Sequence, residues 1–386
     1  MNKTKVVFCI PNMVIGGVEN VLVNSLTELL KNDSLDIAIA LHAPVREPVH
    51  RAWLDAHPEI PTYVYYPLCN WFEDLQKYCR AFPLKPLRKI VFSLYKKYRR
   101  VISRRNKIMR RADVIIDYKN LSFFKELRSV PAPRITWVHG PAKYLRDNGL
   151  APHVNIYNHI VGLTDDFVNE FRRDFPEYRG RVTRIYNPID GDKIRAMAAH
   201  GARHPGRYFC QVSRLDPVQK DIPTLIRAFN MFWAAAGTPD VDLLIVGDGP
   251  QMAELKQMAA DLPCARHIVF AGATTNPFGY MAGAMATILA TRYEGLPTVL
   301  IESAFLGTPC ISADCPNGPR EILMDGRAGL LFDVGDAAKL AVHMKDIWQN
   351  IANTRQLIDT ASQNLDRFAP DAAASQITHL IKEYIK

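Results

Sequence analysis

The sequence predicts an α/β protein made of two doubly wound, Rossmann-like domains. Three observations predict it. Short apolar strands alternate with helical stretches, the pattern of parallel βαβ units. The alternation runs to about residue 190 and then begins again. The chain has 386 residues, more than one ordinary core holds, with 48% hydrophobic and 23% charged residues in ordinary globular proportion.

The elements follow in order. Val6 to Ile10 is an apolar run that reads as a buried strand, and the loop PNMVIGG leads into a helix from about Val18. There Val18, Val21, Leu22, Leu26 and Leu29 recur at helical spacing. DIAIAL from Asp36, ADVIIDY near 112–118, RITWVHG at 134–140 and HIVGLT at 159–164 are further strands. In the second half, YFCQV at 208–212 is a strand and a helix follows over Ile222 to Trp233. VDLLIVGDGP, HIVFAG at 267–272, MATILATRYEG and TPCISAD supply four more strands. Between the halves, YNPIDGDKIRAMAAHGARHPGR is rich in Gly, Pro and charge, which suits a linker. The domains are therefore expected at 1–189 and 190–368, with a last helix in 369–386. That helix carries Ile377, Leu380, Ile381, Tyr384 and Ile385 as one apolar stripe and should dock on something.

The seven cysteines are scattered, form no C-x-x-C pair and have no histidines at zinc spacing, so a reducing compartment and buried packing roles are expected. The first apolar run is too short for a signal peptide, and no stretch of eighteen uncharged apolar residues occurs, so a cytosolic location is expected. The net charge of +9 comes from one segment. Lys77 to Arg111 holds fourteen Lys or Arg and no acid, leaving 34 basic against 39 acidic residues elsewhere.

In open α/β sheets ligands sit outside the carboxyl ends of the strands, and the polar loops of interest all lie there. Glu294-Gly-Leu-Pro-Thr-Val-Leu-Ile-Glu302 leaves an apolar strand and enters a helix. Pro297 suits the first helical position and Gly307 the stop. The free amides of such a helix start would seat a diphosphate, Glu294 could accept bonds from sugar hydroxyls, and Glu302 could reach a vicinal diol. Two glutamates on a solvated helix are the plain alternative. Val212-Ser-Arg-Leu-Asp-Pro-Val-Gln-Lys220 also follows a strand and precedes a helix. Arg214 could fork onto phosphate oxygens and Lys220 add a point charge, favouring a leaving group that gains negative charge. Gly16-Gly17-Val18-Glu19 lets backbone approach a phosphate closely, although it lacks the G-x-G-x-x-G dinucleotide fingerprint and could be a plain turn. His139-Gly140 at a strand end could bond a sugar hydroxyl, although a lone His is more often structural.

These motifs resemble the family-four retaining glycosyltransferases of GT-B fold. The resemblance covers nearly the whole chain in order: GGVE, WVHG, IYNPID, VSRLDPVQK, LLIVGDGP, IVFAG, EGLPTVLIE and CPNGPREIL. It implies two Rossmann-like domains facing a central cleft, with the C-terminal helix packing back on the N-terminal domain. It implies catalytic roles for Glu294, Arg214, Lys220 and His139. Donor binding would fall to Gly16, Gly17, Arg214, Lys220, Gly247, Gly249, Gly272, Glu294, Gly295, Leu296, Pro297, Thr298 and Glu302. Among these, Glu294 would hold the donor sugar, Glu302 the ribose, Arg214 and Lys220 the diphosphate, and His139 the sugar. The implied reaction moves a hexose or N-acetylhexosamine from a UDP-sugar to a cell-surface glycan acceptor, a lipopolysaccharide core or lipid-linked oligosaccharide. The anomeric configuration is retained, and neither metal nor cofactor is required. Three departures stand out. Six steps, not the usual five, separate Arg214 from Lys220, Asp221 replaces a frequent glycine, and Thr298 stands where a second glycine is common.

In the basic segment Leu87, Ile90, Val91, Leu94, Tyr98, Val101 and Ile102 recur at helical spacing. Lys85, Arg88, Lys89, Lys96, Lys97, Arg99, Arg100, Arg104 and Arg105 fill intervening positions. Such a basic amphipathic helix suits an anionic membrane face or a phosphorylated acceptor, which would place the protein peripherally on the inner face of the plasma membrane. A solvated helix with its apolar side in the core is the alternative. No nucleic-acid motif is present. Competing functions are an inverting GT-B transferase or UDP-sugar epimerase and, in another class, a non-catalytic sugar-nucleotide or anionic-glycan binding protein.

Overall fold

The structure, a computed structural model, describes residues 3–14, 17–71, 84–103, 107–349 and 351–385. The described chain forms two compact units. One comprises 1–162, 168–185 and 374–386, the other 163–167 and 186–373.

The first unit carries seven parallel strands: β1 (Thr4–Ile10), β2 (Leu35–Leu41), β3 (Thr62–Val64), β4 (Val114–Asp117), β5 (Arg134–Trp137), β6 (His159–Gly162) and β7 (Val182–Arg184). Their order is β3-β2-β1-β4-β5-β6-β7, so the direction of winding reverses between β1 and β4. β1 is buried from Val6 to Ile10 because helices cover both faces, hence its continuous apolar run. The Gly17–Leu29 helix buries Val21, Leu22, Leu26 and Leu29 as its periodicity requires. Within the last helix, Pro370–Glu383, Ile377, Leu380 and Ile381 are buried. From Ala374 onward the chain clusters with the first unit. The Tyr384 hydroxyl lies 3.0 Å from His159 Nδ1 and donates to the Asn158 carbonyl at 3.2 Å.

The second unit has six parallel strands: β8 (Tyr208–Val212), β9 (Asp242–Val246), β10 (Ile268–Gly272), β11 (Ala286–Leu289), β12 (Cys310–Ala313) and β13 (Leu330–Phe332). The order β10-β9-β8-β11-β12-β13 repeats the same winding, with its switch between β8 and β11. One face is filled by Phe209, Leu225, Phe229 and Phe232 together with Leu340 and Met344, from helices Ile222–Ala235 and Ala337–Gln349. Each such side chain contributes about 1.5–3 kcal/mol of burial.

Two local expectations are corrected, and for the basic helix the core-facing alternative is set aside. The stretch read as a linker contains a helix, Gly191–Ala199, capped by the Asp190 carboxylate accepting from the Lys193 amide. Pro297 is not the first helical residue but the capping one, in extended conformation ahead of Thr298–Phe305. The Leu84–Ser103 helix forms, but its apolar stripe does not face the core. Ile90, Val91, Leu94, Tyr98, Val101 and Ile102 are all exposed, from 41% to 64%. The opposite face is the docked one. Arg99 donates to the Tyr65 carbonyl at 2.9 Å, Arg100 pairs with buried Glu126 at 3.2 Å, and Tyr95 accepts from the Leu68 amide at 3.0 Å. Glu126 resists burial's upward push because His42, Tyr66 and Arg100 stabilise its charge, and its pKa falls to about 2. No described helix is long and apolar enough to cross a membrane.

Candidate functional site

In the second unit the site residues gather at the β8/β11 switch, where two neighbouring strands lead their loops apart. Lys220, from the loop after β8, donates from Nζ to Glu294 Oε1 at 2.5 Å, and Gln219 donates from Nε2 to Glu294 Oε2 at 3.2 Å. Glu294 follows β11 and is buried, as is most of the Lys220 side chain. Arg214 belongs to the same loop and is exposed.

The neighbouring loops lock onto this one. The Leu215 amide donates to the Asp248 carbonyl at 2.9 Å and the Gln251 amide to the Leu215 carbonyl at 3.2 Å. Gly247 has φ +138°, and a Cβ there would collide with the Ser213 carbonyl. A Cβ on Gly249 would collide with Leu215 backbone. The Gly247 amide donates to the Gly272 carbonyl at 2.8 Å, and Gly272 itself has φ +77°. The structure thus brings Arg214, Lys220, Gly247, Gly249, Gly272 and Glu294 onto one set of adjoining loops.

Gly295, Leu296, Pro297 and Thr298 lead into the Thr298–Phe305 helix. Gly318, at φ +101°, is pressed against Pro297 and Leu296, where a Cβ would come 2.5 Å from Pro297 Cδ. Glu302, half-buried on that helix, has its pKa raised to about 7 by desolvation, opposed by a hydrogen bond from the Thr298 hydroxyl. Thr298, a departure from the resemblance, therefore bears directly on Glu302.

In the first unit Gly17 starts its helix with open space where a Cβ would stand, whereas Gly16 lies outside the described residues. Two residues on, buried Glu19 accepts from Lys119 Nζ at 2.5 Å. Lys119 follows β4, so this pair spans the β1/β4 switch. His139, after β5, is held by its amide donating to Asn120 Oδ1 at 2.7 Å and by its ring Nε2 donating to the Tyr118 carbonyl at 2.8 Å. That bond fixes the proton on Nε2 and leaves Nδ1 a lone-pair acceptor, buried and without a partner among the described residues. Burial, with Lys119 adding to it, lowers the His139 pKa to about 4, so the ring is neutral at physiological pH.

In the basic segment Lys89 and Lys97 are exposed, whereas Lys96 packs over Phe92 at 4.2 Å and Arg99 and Arg100 dock inward. The side chains of Lys85 and Arg88, and the whole of Arg104 and Arg105, lie outside the described residues.

Gln219, Arg292, Glu19 and Lys119 carried no assigned role in the sequence reading. Arg292 pairs with Asp221 at 2.9 Å, and the Thr224 hydroxyl donates to the other Asp221 oxygen at 2.8 Å. Position alone offered a signal for two of them: Gln219 adjoins Lys220, and Arg292 precedes Glu294 by two. No group of three His, Cys, Asp or Glu suited to a metal occurs among the described residues.

Residues 206–350 match the family model described as Glycosyl transferases group 1. An exopolysaccharide phosphotransferase of Streptomyces coelicolor is 30% identical over 228 residues, 58% of this chain and 23% of that protein. The N-acetylgalactosamine-N,N'-diacetylbacillosaminyl-diphospho-undecaprenol 4-alpha-N-acetylgalactosaminyltransferase of Campylobacter jejuni is 29% identical over 166 residues, 43% of this chain and 44% of that enzyme. The matches thus span less than half of either relative. The crystal structure of Anabaena HepE in complex with UDP superposes with a TM-score of 0.72 at 18% identity, covering 98% of this chain and 100% of that one. The expected GT-B architecture of two Rossmann-like parallel-sheet domains is borne out. Arg214, Lys220, Glu294 and Glu302 all lie within the matched residues 206–350.

Proposed function

We propose that the chain is a retaining glycosyltransferase that moves a hexose or N-acetylhexosamine from a UDP-sugar to a glycan acceptor such as a lipopolysaccharide core or lipid-linked oligosaccharide. The observation that carries this reading is the convergence of Lys220 and Gln219 on Glu294 at the strand switch, beside the start of the helix bearing Glu302. A carboxylate already holding a cation can accept sugar hydroxyls while the cation turns toward phosphate oxygens. Arg214 and Lys220 would then neutralise the departing diphosphate, and the charge they meet grows as the glycosidic bond breaks. No metal or cofactor is assigned a role. The assignments of Gly16, Gly17 and His139 to the donor rest on the resemblance, and a neutral His139 with a bare Nδ1 suits a hydroxyl donor.

A thermal-shift screen over nucleotide sugars tests donor binding, since a donor held a hundredfold above its Kd stabilises the fold by about 2.7 kcal/mol. Product NMR tests stereochemistry: an inverted linkage excludes the retaining reaction. Donor binding without transfer to any acceptor, undisturbed in Glu294→Ala, favours the non-catalytic alternative.

For location we propose the inner face of the plasma membrane. Six exposed apolar side chains on a helix from an acid-free basic segment form a surface whose apolar part suits acyl chains and whose cations suit anionic headgroups.

A further inference from the structure

Gln219 and Lys220 are consecutive, yet both side chains reach one carboxylate. Successive side chains of an extended chain point to opposite faces, so a bent and rigid backbone is needed to aim both the same way. Inside the loop, Asp216 Oδ1 accepts from the amides of Val218 at 2.9 Å and Gln219 at 3.2 Å, which turns the chain. The Lys220 amide donates to the Asp216 carbonyl at 2.9 Å and the Thr291 hydroxyl to the Gln219 carbonyl at 3.1 Å, and Arg292 adds several further constraints. Its amide donates to the Gln219 carbonyl at 2.8 Å. Its Nη1 donates to the Pro217 carbonyl at 3.0 Å and the Lys220 carbonyl at 3.2 Å, and its Nη2 to Asp221 Oδ1 at 2.9 Å. The Asp221 amide in turn donates to the Ala290 carbonyl at 3.0 Å. One planar guanidinium therefore grips the loop on both sides of the two residues that contact Glu294.

We propose that Arg292 is a positioning residue for the donor site: by holding residues 217–221 it aims Gln219 and Lys220 at Glu294. The inference rests on the transferase reading and extends it to a part of this chain that departs from the resemblance. Measured against the resemblance, the loop is one residue longer than is common and Asp221 stands where a glycine often follows. A longer loop without glycine's freedom needs an external hold, and Asp221 supplies the carboxylate that engages Arg292. Lysine could keep the ion pair but could not span Asp221 and two carbonyls at once.

The test uses the full chain with Arg292→Ala, Arg292→Lys, Asp221→Asn, Lys220→Ala and the Arg292→Ala/Lys220→Ala double variant. Two quantities are measured: backbone amide exchange of the free protein, and UDP affinity by calorimetry. The Asp221 and Arg292 amides should exchange about tenfold faster in Arg292→Ala, with the rest of the second unit unchanged. UDP affinity should fall about tenfold in Arg292→Ala, less in Arg292→Lys and Asp221→Asn, and show no further loss when Arg292→Ala is added to Lys220→Ala. Unchanged exchange at those amides overturns the proposal without reference to nucleotide. So does an equal Arg292→Ala loss with and without Lys220, which would mean Arg292 does not act through the lysine. Failure of the wild-type chain to bind UDP instead sinks the transferase reading, and the donor-site role of Arg292 falls with it, whatever the exchange data show about the loop. Should Arg292→Ala fail to fold, Arg292→Lys and Asp221→Asn carry the same comparisons.

Discussion

Lys220 Nζ sits 2.5 Å from Glu294 Oε1, joining the loops after β8 and β11 through two side chains that are each about nine-tenths buried. Removing one partner of such a pair strands the other charge. Lys220→Ala should therefore lower stability by about 3 kcal/mol, whereas Lys220→Ala/Glu294→Ala should lose less than the single change. Thermal denaturation of Lys220→Ala, Glu294→Ala and the double variant measures this, and a double loss equal to the sum of the two single losses would show that the pair adds no coupling.

Glu302 supplies a pH signature. Its folded pKa, about 7, lies above its ordinary value, so in the free protein its contribution to stability is full below pH 4.5 and is lost as the pH rises through 7. Diol binding should run the other way, because the carboxylate that accepts hydroxyl protons is the ionised form. UDP affinity should rise about tenfold from pH 6 to pH 8, and Glu302→Gln should flatten both trends. Calorimetry across that range, beside melting curves of the free protein, checks the two opposed slopes.

Two glycine replacements should separate structure from ligand contact. Gly247→Ala forces a Cβ into the Ser213 carbonyl at φ +138° and should destabilise the second unit by about 2 kcal/mol or more. Gly17→Ala meets nothing within 4 Å and should alter stability by less than about 0.5 kcal/mol. A weaker donor affinity in Gly17→Ala at unchanged melting temperature would then report a ligand's approach.

The exposed stripe predicts a lipid preference. Leu94→Asp, at a 61% exposed position, should leave the melting temperature unchanged while reducing sedimentation with phosphatidylglycerol vesicles. Wild-type binding that is equal on phosphatidylcholine vesicles, or absent from both, would refute an anionic membrane surface as partner. Arg100→Ala should instead destabilise the fold, because it frees the buried Glu126 carboxylate.

The long parallel strands were legible because sheets covered on both faces select continuous apolar runs, as in Val6 to Ile10 and Leu243 to Val246. β3, β7 and β13 are three residues each, too short for any period to register. The Glu294–Glu302 spacing and its glycine stop were readable from neighbouring residues. The roles of Gln219 and Arg292 were not, despite their nearness to Lys220 and Glu294, because their partners lie more than seventy positions away in sequence. Periodicity likewise revealed that the basic helix has an apolar face but not where it points. That was decided by Glu126 and the Tyr65 carbonyl, which recruit arginines inward.

The fit of Gly247 against Ser213 ties the geometry of the Arg214 loop to strand pairing. β8 and β9 align Val212 with Val246, and this alignment alone sets the bare glycine opposite the Ser213 carbonyl. A shift by one residue would put Asp248 or Val246 there and force the arginine-bearing loop away from its neighbour. On the transferase reading, misthreaded copies of this domain should be blind to nucleotide, which would make nucleotide capture a purity assay for correctly threaded molecules.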